Sequence, residues 1–149
     1  MASNAITAVG AQFEVSRNGT TWRDIIEAKG APIPGVTKDW QDVTHLGSEG
    51  YRDFIPGLKE ATEVSASLNY TSGEYEDQLA DEVYSEANGA LYYRVTLKVQ
   101  PGQTTGDVHT YRAYPSISID ENNDPGTPYT MTLTLRTTGR PTFTPGTGT

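Results

Sequence analysis

The chain has 149 residues, close to the commonest size of a single domain, and 35% of them are hydrophobic, below the ~45–50% of typical soluble domains even though that average also counts Gly. A modest core is expected, with some apolar burial between subunits. The formal charge of −8 and the absence of any Lys/Arg cluster disfavour binding to a phosphate backbone, and the lack of cysteine removes disulfides, thiolate metal sites and Cys nucleophiles together.

In chain order, Val9, Ala11, Phe13 and Val15 alternate with Gln12, Glu14 and Ser16, the period of a half-buried strand from Thr7 to Val15. The run Ala5 to Val9 is too short for a signal peptide and lacks a basic flank, and no stretch reaches membrane-spanning length. Asn18-Gly19 predicts a two-residue hairpin turn that sets Val15 opposite Trp22 and Glu14 opposite Arg23. Lys29 to Gly35 reads as a connection, followed by a short strand around Trp40-Gln41-Asp42-Val43-Thr44. From His45 to Leu58 no period is sustained, yet Tyr51, Phe54 and Ile55 are large apolar groups in a Gly-rich loop. They either fold back over the core or lie across a neighbouring subunit.

Val64, Ala66, Leu68 and Tyr70 then alternate with Glu63, Ser65, Ser67 and Asn69, a strand. Thr71-Ser72-Gly73-Glu74 has the capping-box spacing, and Tyr75, Leu79 and Val83 lie four apart as the apolar stripe of the one predicted helix, which Asn88-Gly89 ends. Six carboxylates, Glu74, Glu76, Asp77, Asp81, Glu82 and Glu86, read as its solvated face. Three strands follow. Leu91 to Val99 alternates until Pro101-Gly102; Val108 to Asp120 carries Tyr111, Ala113, Ile117 and Ile119 on one face, with Pro115 pointing to an edge or a bulge; Tyr129 to Leu135 alternates with threonines until Gly139 closes the strand. The fold class expected is α+β, mainly β: an antiparallel β-sandwich or barrel with one flanking helix, residues 1–139 forming the domain and residues 140–149 a flexible C-terminal arm.

No chemistry stands out. His45 and His109 lack a nucleophile context such as G-x-S-x-G, and no H-E-x-x-H, P-loop or G-x-G-x-x-G occurs. Asp120-Glu121-Asn122-Asn123-Asp124 opens like a calcium loop, but Pro125 replaces the required glycine and Met131 the bidentate Glu, so an acidic turn is the reading. Asn18-Gly19-Thr20 and Asn69-Tyr70-Thr71 match a glycosylation acceptor without a secretory signal. No enzyme activity, cofactor or metal is expected.

Trp40-Gln41-Asp42-Val43-Thr44, the loop closing Tyr51-Arg52-Asp53-Phe54-Ile55-Pro56-Gly57-Leu58, the strand end Leu68-Asn69-Tyr70 and the late Leu133-Thr134-Leu135-Arg136-Thr137-Thr138-Gly139 resemble the major tail tube proteins of long-tailed, non-contractile phages over roughly residues 5 to 139. The resemblance implies a hexameric ring stacking into a hollow tube for viral DNA, a virion component assembled in the host cytoplasm, with tape-measure, tail-terminator and tail-tip proteins as partners and no membrane. It implies a ring-stacking loop containing His45, Tyr51, Arg52, Asp53, Phe54 and Ile55. No immunoglobulin-like extra domain is expected after the tube domain. The candidates for the lumen are Glu63, Ser65, Ser67 and Asn69, because their alternation lies opposite a fully apolar face, while Arg94, Lys98 and Arg136 on other polar faces complicate a channel that must not hold DNA. A tube protein of a contractile tail, gene transfer agent or type VI secretion system is the alternative within the architecture. A carbohydrate-binding β-sandwich, prompted by Trp22, Trp40 and the tyrosines, is the alternative from another class.

Overall fold

A computed structural model describes residues 10–26, 28–121 and 124–148. Its elements run β1 (Gln12–Ser16), β2 (Arg23–Asp24), β3 (Val36–Asp42), a 3₁₀ turn (Leu46–Ser48), β4 (Phe54–Ala61), β5 (Val64–Asn69), α1 (Ser72–Asn88), β6 (Leu91–Thr96), β7 (Val108–Ile119) and β8 (Thr130–Thr144). Six strands form one antiparallel sheet in the order β2-β1-β6-β7-β8-β5, curled into a half-barrel, and β3 and β4 form a separate two-stranded arm. The mainly β class with one flanking helix is as expected. The predicted strand residues Thr7 to Val9 and the pair Asn122-Asn123 lie outside the described residues.

Alternation gives the sheet two faces. Phe13, Val15, Ala66, Leu68, Leu91, Tyr93, Val95, Tyr111, Ala113, Ile117, Met131, Leu133 and Leu135 are buried on one of them, and Tyr75 and Tyr84 of α1 pack against this cluster. Tyr93 stacks on Tyr111 at 5.8 Å between ring centroids and lies 5.9 Å from Phe13. The Tyr111 hydroxyl donates to the Pro32 carbonyl at 2.9 Å, pinning the connection between β2 and β3 over the core. Burial pushes the Tyr93 and Tyr111 phenols well above their ordinary pKa, so both stay neutral.

Several local expectations are corrected. The turn after β1 is one residue longer than a two-residue hairpin: Val15 pairs with Arg23 and Glu14 with Asp24. Ser16 Oγ accepts from the Asn18 and Gly19 amides and Asn18 Oδ1 from those of Thr20 and Thr21, so only Gly19, at φ 81°, needs the left-handed region. The extra residue puts Arg23 on the apolar face beside Tyr93.

The helix is turned the other way from its hydrophobic pattern. Glu74, Gln78, Asp81 and Ser85 are its buried residues, whereas Leu79 and Val83 are exposed. The cause is the arginine pair delivered by the shifted turn: Arg17 Nε donates to Asp81 Oδ1 at 3.2 Å and Arg23 Nη2 lies 2.8 Å from Asp81 Oδ2. Half of the capping box forms, Thr71 Oγ1 accepting from the Glu74 amide. The Glu74 carboxylate turns inward to accept from Gln78 Nε2 at 2.9 Å instead.

Pro115 sits on β7, which is central in strand order and not an edge. However, β6 pairs with β7 only as far as Ala113, so beyond it β8 alone flanks β7 and the missing N–H of Pro115 costs no ladder bond on that side. The bulge lies elsewhere, where Gly139, Arg140 and Pro141 of β8 fall between the partners of Thr110 and Arg112. Gly139, at φ 77°, turns the bulge rather than ending the strand, and β8 continues to Thr144 beside Val108. Farther on, the Thr104 amide donates to the Thr147 carbonyl at 2.7 Å and the Gly146 amide to Asp107 Oδ1 at 2.7 Å.

Candidate functional site

The segment read as a short strand and an aperiodic loop is one long hairpin. Val36 pairs with Ala61 and Asp42 with Phe54, with a bulge between Lys38 and Trp40. No residue of β3 is buried, and β4 is nearly as exposed, so the alternation rule had no one-sided burial to detect.

At the tip, short polar side chains replace a core. Asp42 Oδ1 accepts from the Thr44 amide at 2.9 Å and from its hydroxyl, and Thr44 Oγ1 accepts from the Asp53 amide at 2.9 Å. Ser48 Oγ donates to Asp53 Oδ2 and accepts from the His45 amide, while His45 Nδ1 accepts from the Gly47 amide at 2.9 Å. Both Thr44 bonds hold the Asp42 carboxyl below its ordinary pKa, the hydroxyl more than the amide. At the base, the Thr137 hydroxyl of β8 lies 2.9 Å from both the Ala61 and Thr62 carbonyls, and the Thr62 amide donates to the Gly35 carbonyl at 2.8 Å. The arm is thus held at both ends by hydrogen bonds that leave its large side chains outward.

Those side chains do not cap the core. Tyr51 is 78% exposed, Phe54 and Ile55 50% each, and Leu46 fully so. Trp40 and Leu58 belong to the same exposed set, beyond the loop residues that the sequence singles out; their sequence signal is an apolar residue inside a polar, Gly-rich stretch. His45, Tyr51, Arg52, Asp53, Phe54 and Ile55 therefore come together at one end of the arm, His45 and Asp53 as tip braces and Tyr51, Phe54 and Ile55 as exposed apolar surface.

The second surface is the sheet face turned away from α1. Ser65, Ser67 and Asn69 pair with Thr134, Thr132 and Thr130, and Thr134 and Thr132 pair in turn with Ser116 and Ser118. Across the other half, Arg112 pairs with Tyr92, and Arg94 with Glu14. One polar face thus runs through five strands. Glu63 immediately precedes β5, its carboxylate 3.7 Å from Arg136. Lys98 falls beyond the end of β6, its side chain against Gly10.

The two histidines have structural settings, His45 in the tip and His109 with its ring 5.0 Å from Phe143. Among the described residues no cluster of three metal-ligating groups occurs. Asp120 accepts from the Thr130 and Thr132 hydroxyls, which hold its carboxyl below its ordinary pKa, Thr130 foremost. Among the described residues no helix is long and apolar enough to cross a membrane. Trp22 is covered by the Arg94 guanidinium at 4.1 Å, which removes one ring face from the surface a sugar would stack on.

No family model and no curated protein matches the chain. Solved structures do. A chain of the anti-feeding prophage baseplate, 6-fold symmetrised, superposes with a TM-score of 0.73 at 13% identity, over 97% of this chain and 98% of that one. A chain from the tail of an empty GTA particle with C6 symmetry gives 0.65 at 14% identity, over 94% and 99%. A chain of the SPP1 tail tube gives 0.61 at 11% identity, over 97% and 80%. At such identities the likeness is one of fold, and the fold of this chain is that of tail tube and baseplate proteins.

Proposed function

We propose that the chain is a tail tube subunit that assembles into hexameric rings stacked as a hollow tube, the conduit for DNA, in a virion or tail-derived particle built in a host cytoplasm. The observation that carries this reading is the arm: a hairpin stiffened by hydrogen bonds at tip and base that presents Tyr51, Phe54 and Ile55 to solvent. Exposed apolar groups on a braced element match a contact with another subunit better than a solvated loop. In the tube, the arm reaches the adjacent ring, with His45, Arg52 and Asp53 at the rim of that contact.

The polar face containing Glu63, Ser65, Ser67 and Asn69 lines the channel, and α1 lies outside. These four side chains carry no cation to pair with a passing phosphate backbone, so DNA passes this part of the face without being bound. Tape-measure, terminator and tip proteins occupy the interior and ends of the tube. The work is mechanical and no catalysis is involved.

A second reading, the tube of a contractile or injection machine, is favoured by the superposition on the anti-feeding prophage baseplate and, at TM-score 0.63, on a contractile injection system sheath–tube complex. The phage-type resemblance rests instead on the sequence blocks around Trp40 and Tyr51. Negative-stain microscopy of concentrated protein tests the common core of both. Hollow tubes are expected, in which single cysteines at positions 65 and 67 resist bulky thiol reagents. Protein that stays dispersed, or tubes labelled freely at both positions, would contradict the proposal.

A further inference from the structure

The polar sheet face carries three arginines among the described residues, Arg94, Arg112 and Arg136, which sits badly with a face that must release DNA. We infer that these arginines are masked by built-in partners, and that Glu14, Glu60 and Glu63 are positioning residues whose role is to keep the face from holding a polyanion. The inference rests on the tube reading for its purpose, but its geometry stands in the single subunit.

Arg94 is the most completely engaged. Its Nε donates to Glu14 Oε1 at 3.0 Å and its Nη2 to Glu14 Oε2 at 2.9 Å, a two-point pairing that uses the fork geometry of both groups. The indole of Trp22 covers the guanidinium plane at 4.1 Å. Glu14 is itself largely buried, although it lies on the polar side of β1, so a carboxylate is held in place against solvent competition. Arg136 is exposed and lies 3.7 Å from each of two carboxylates, Glu60 of the arm base and Glu63 before β5. Exposed pairs at this length contribute little to stability. They nevertheless reverse the local sign: one cation flanked by two anions within a screening length presents net negative charge to an approaching phosphate. Arg112 is engaged without a carboxylate, donating to the Ala90 carbonyl at 2.8 Å with its guanidinium over Tyr92 at 4.6 Å.

The test is DNA binding by the full-length protein, diluted until sedimentation shows single subunits so that the polar face is accessible. The probe is a fluorescein-labelled duplex followed by anisotropy at low salt. Glu60→Gln/Glu63→Gln alters only exposed side chains and leaves the fold safe, and Glu14→Gln keeps the shape of its partner. A control, Glu76→Gln/Asp77→Asn, removes the same number of charges as the double variant from α1 on the far side.

Each unmasked arginine adds about one phosphate contact, so affinity is expected to rise about tenfold at low salt, with the dependence of log K on log salt steepening by about 0.9 per contact. Adding Arg136→Gln to the double variant, or Arg94→Gln to Glu14→Gln, should abolish the gain. An equal gain in the α1 control means that net charge alone is responsible and overturns the inference, as does no gain in either unmasked variant. Failure of the wild-type protein to form tubes, beside a gain confined to the unmasked variants, overturns the tube reading while leaving the masking intact.

Discussion

Asp81, on the buried side of α1, lies 2.8 Å from the Arg23 guanidinium, and this pair orients the helix against the pull of its own hydrophobic stripe. A 1% exposed carboxylate between Arg17 and Arg23 cannot be turned to solvent without leaving Arg23 on the apolar face unpaired, and that cost exceeds the gain from burying Leu79 and Val83. Asp81→Asn should therefore destabilise the subunit by about 2–3 kcal/mol, at the low end for a buried pair because both arginines are partly exposed. Leu79→Ser and Val83→Ser should each change stability by less than about 0.5 kcal/mol. Urea unfolding of the three variants checks this, and the reverse ranking would show that the stripe, not the carboxylate, faces the sheet.

Removing the exposed aromatics from the arm separates folding from assembly. Tyr51→Ser/Phe54→Ser takes away side chains that touch no core, so its unfolding midpoint should match the wild type while tube length by negative stain collapses. Tubes of unchanged length would remove the arm from the stacking contact.

Thr137 tests the base of the same arm. Thr137→Val deletes the hydroxyl shared between the Ala61 and Thr62 carbonyls at nearly constant volume and should cost about 1 kcal/mol. Amide hydrogen exchange should accelerate in residues 54–62 more than in β6 and β7, because the bond joins the arm to the sheet. Uniform acceleration over the whole sheet would deny it that local role.

Asp42 and Asp120 give stability a local pH dependence, both held below the ordinary carboxylate value of 3.8 by hydroxyl donors, helped at Asp42 by the Thr44 amide. Their stabilising effect is therefore complete above that value and is lost as the pH falls through the lower, folded-state pKa. The difference in thermal midpoint between wild type and Asp42→Asn should be constant above about pH 5 and shrink below about pH 4. A difference that persists undiminished to about pH 2 would show that the charge of Asp42 contributes nothing.

Wherever a strand has one dry face and one wet face, the order of residue types states its orientation, as it does for Val64 to Asn69 and Leu91 to Thr96, although the alternation through Val99 outruns the end of the second strand. The same alternation puts Ser65, Ser67 and Asn69 on the polar side, because a period of two leaves only two sides to choose from. Fold class, helix start and the core of the sheet follow from that local chemistry alone.

Position against distant partners is a different matter. The arm was illegible because both of its faces are exposed, the inward turn of α1 because it depends on a one-residue lengthening of a hairpin some 60 positions earlier in sequence, as the Arg17–Asp81 separation of 64 residues records. The masking of Arg94 by Glu14 and of Arg136 by Glu60 and Glu63 likewise arises only when strands far apart in the chain become neighbours. Local periodicity encodes which face is apolar. Which charge meets which is set by strand register, and register is decided by how strands far apart in the chain pair across the sheet.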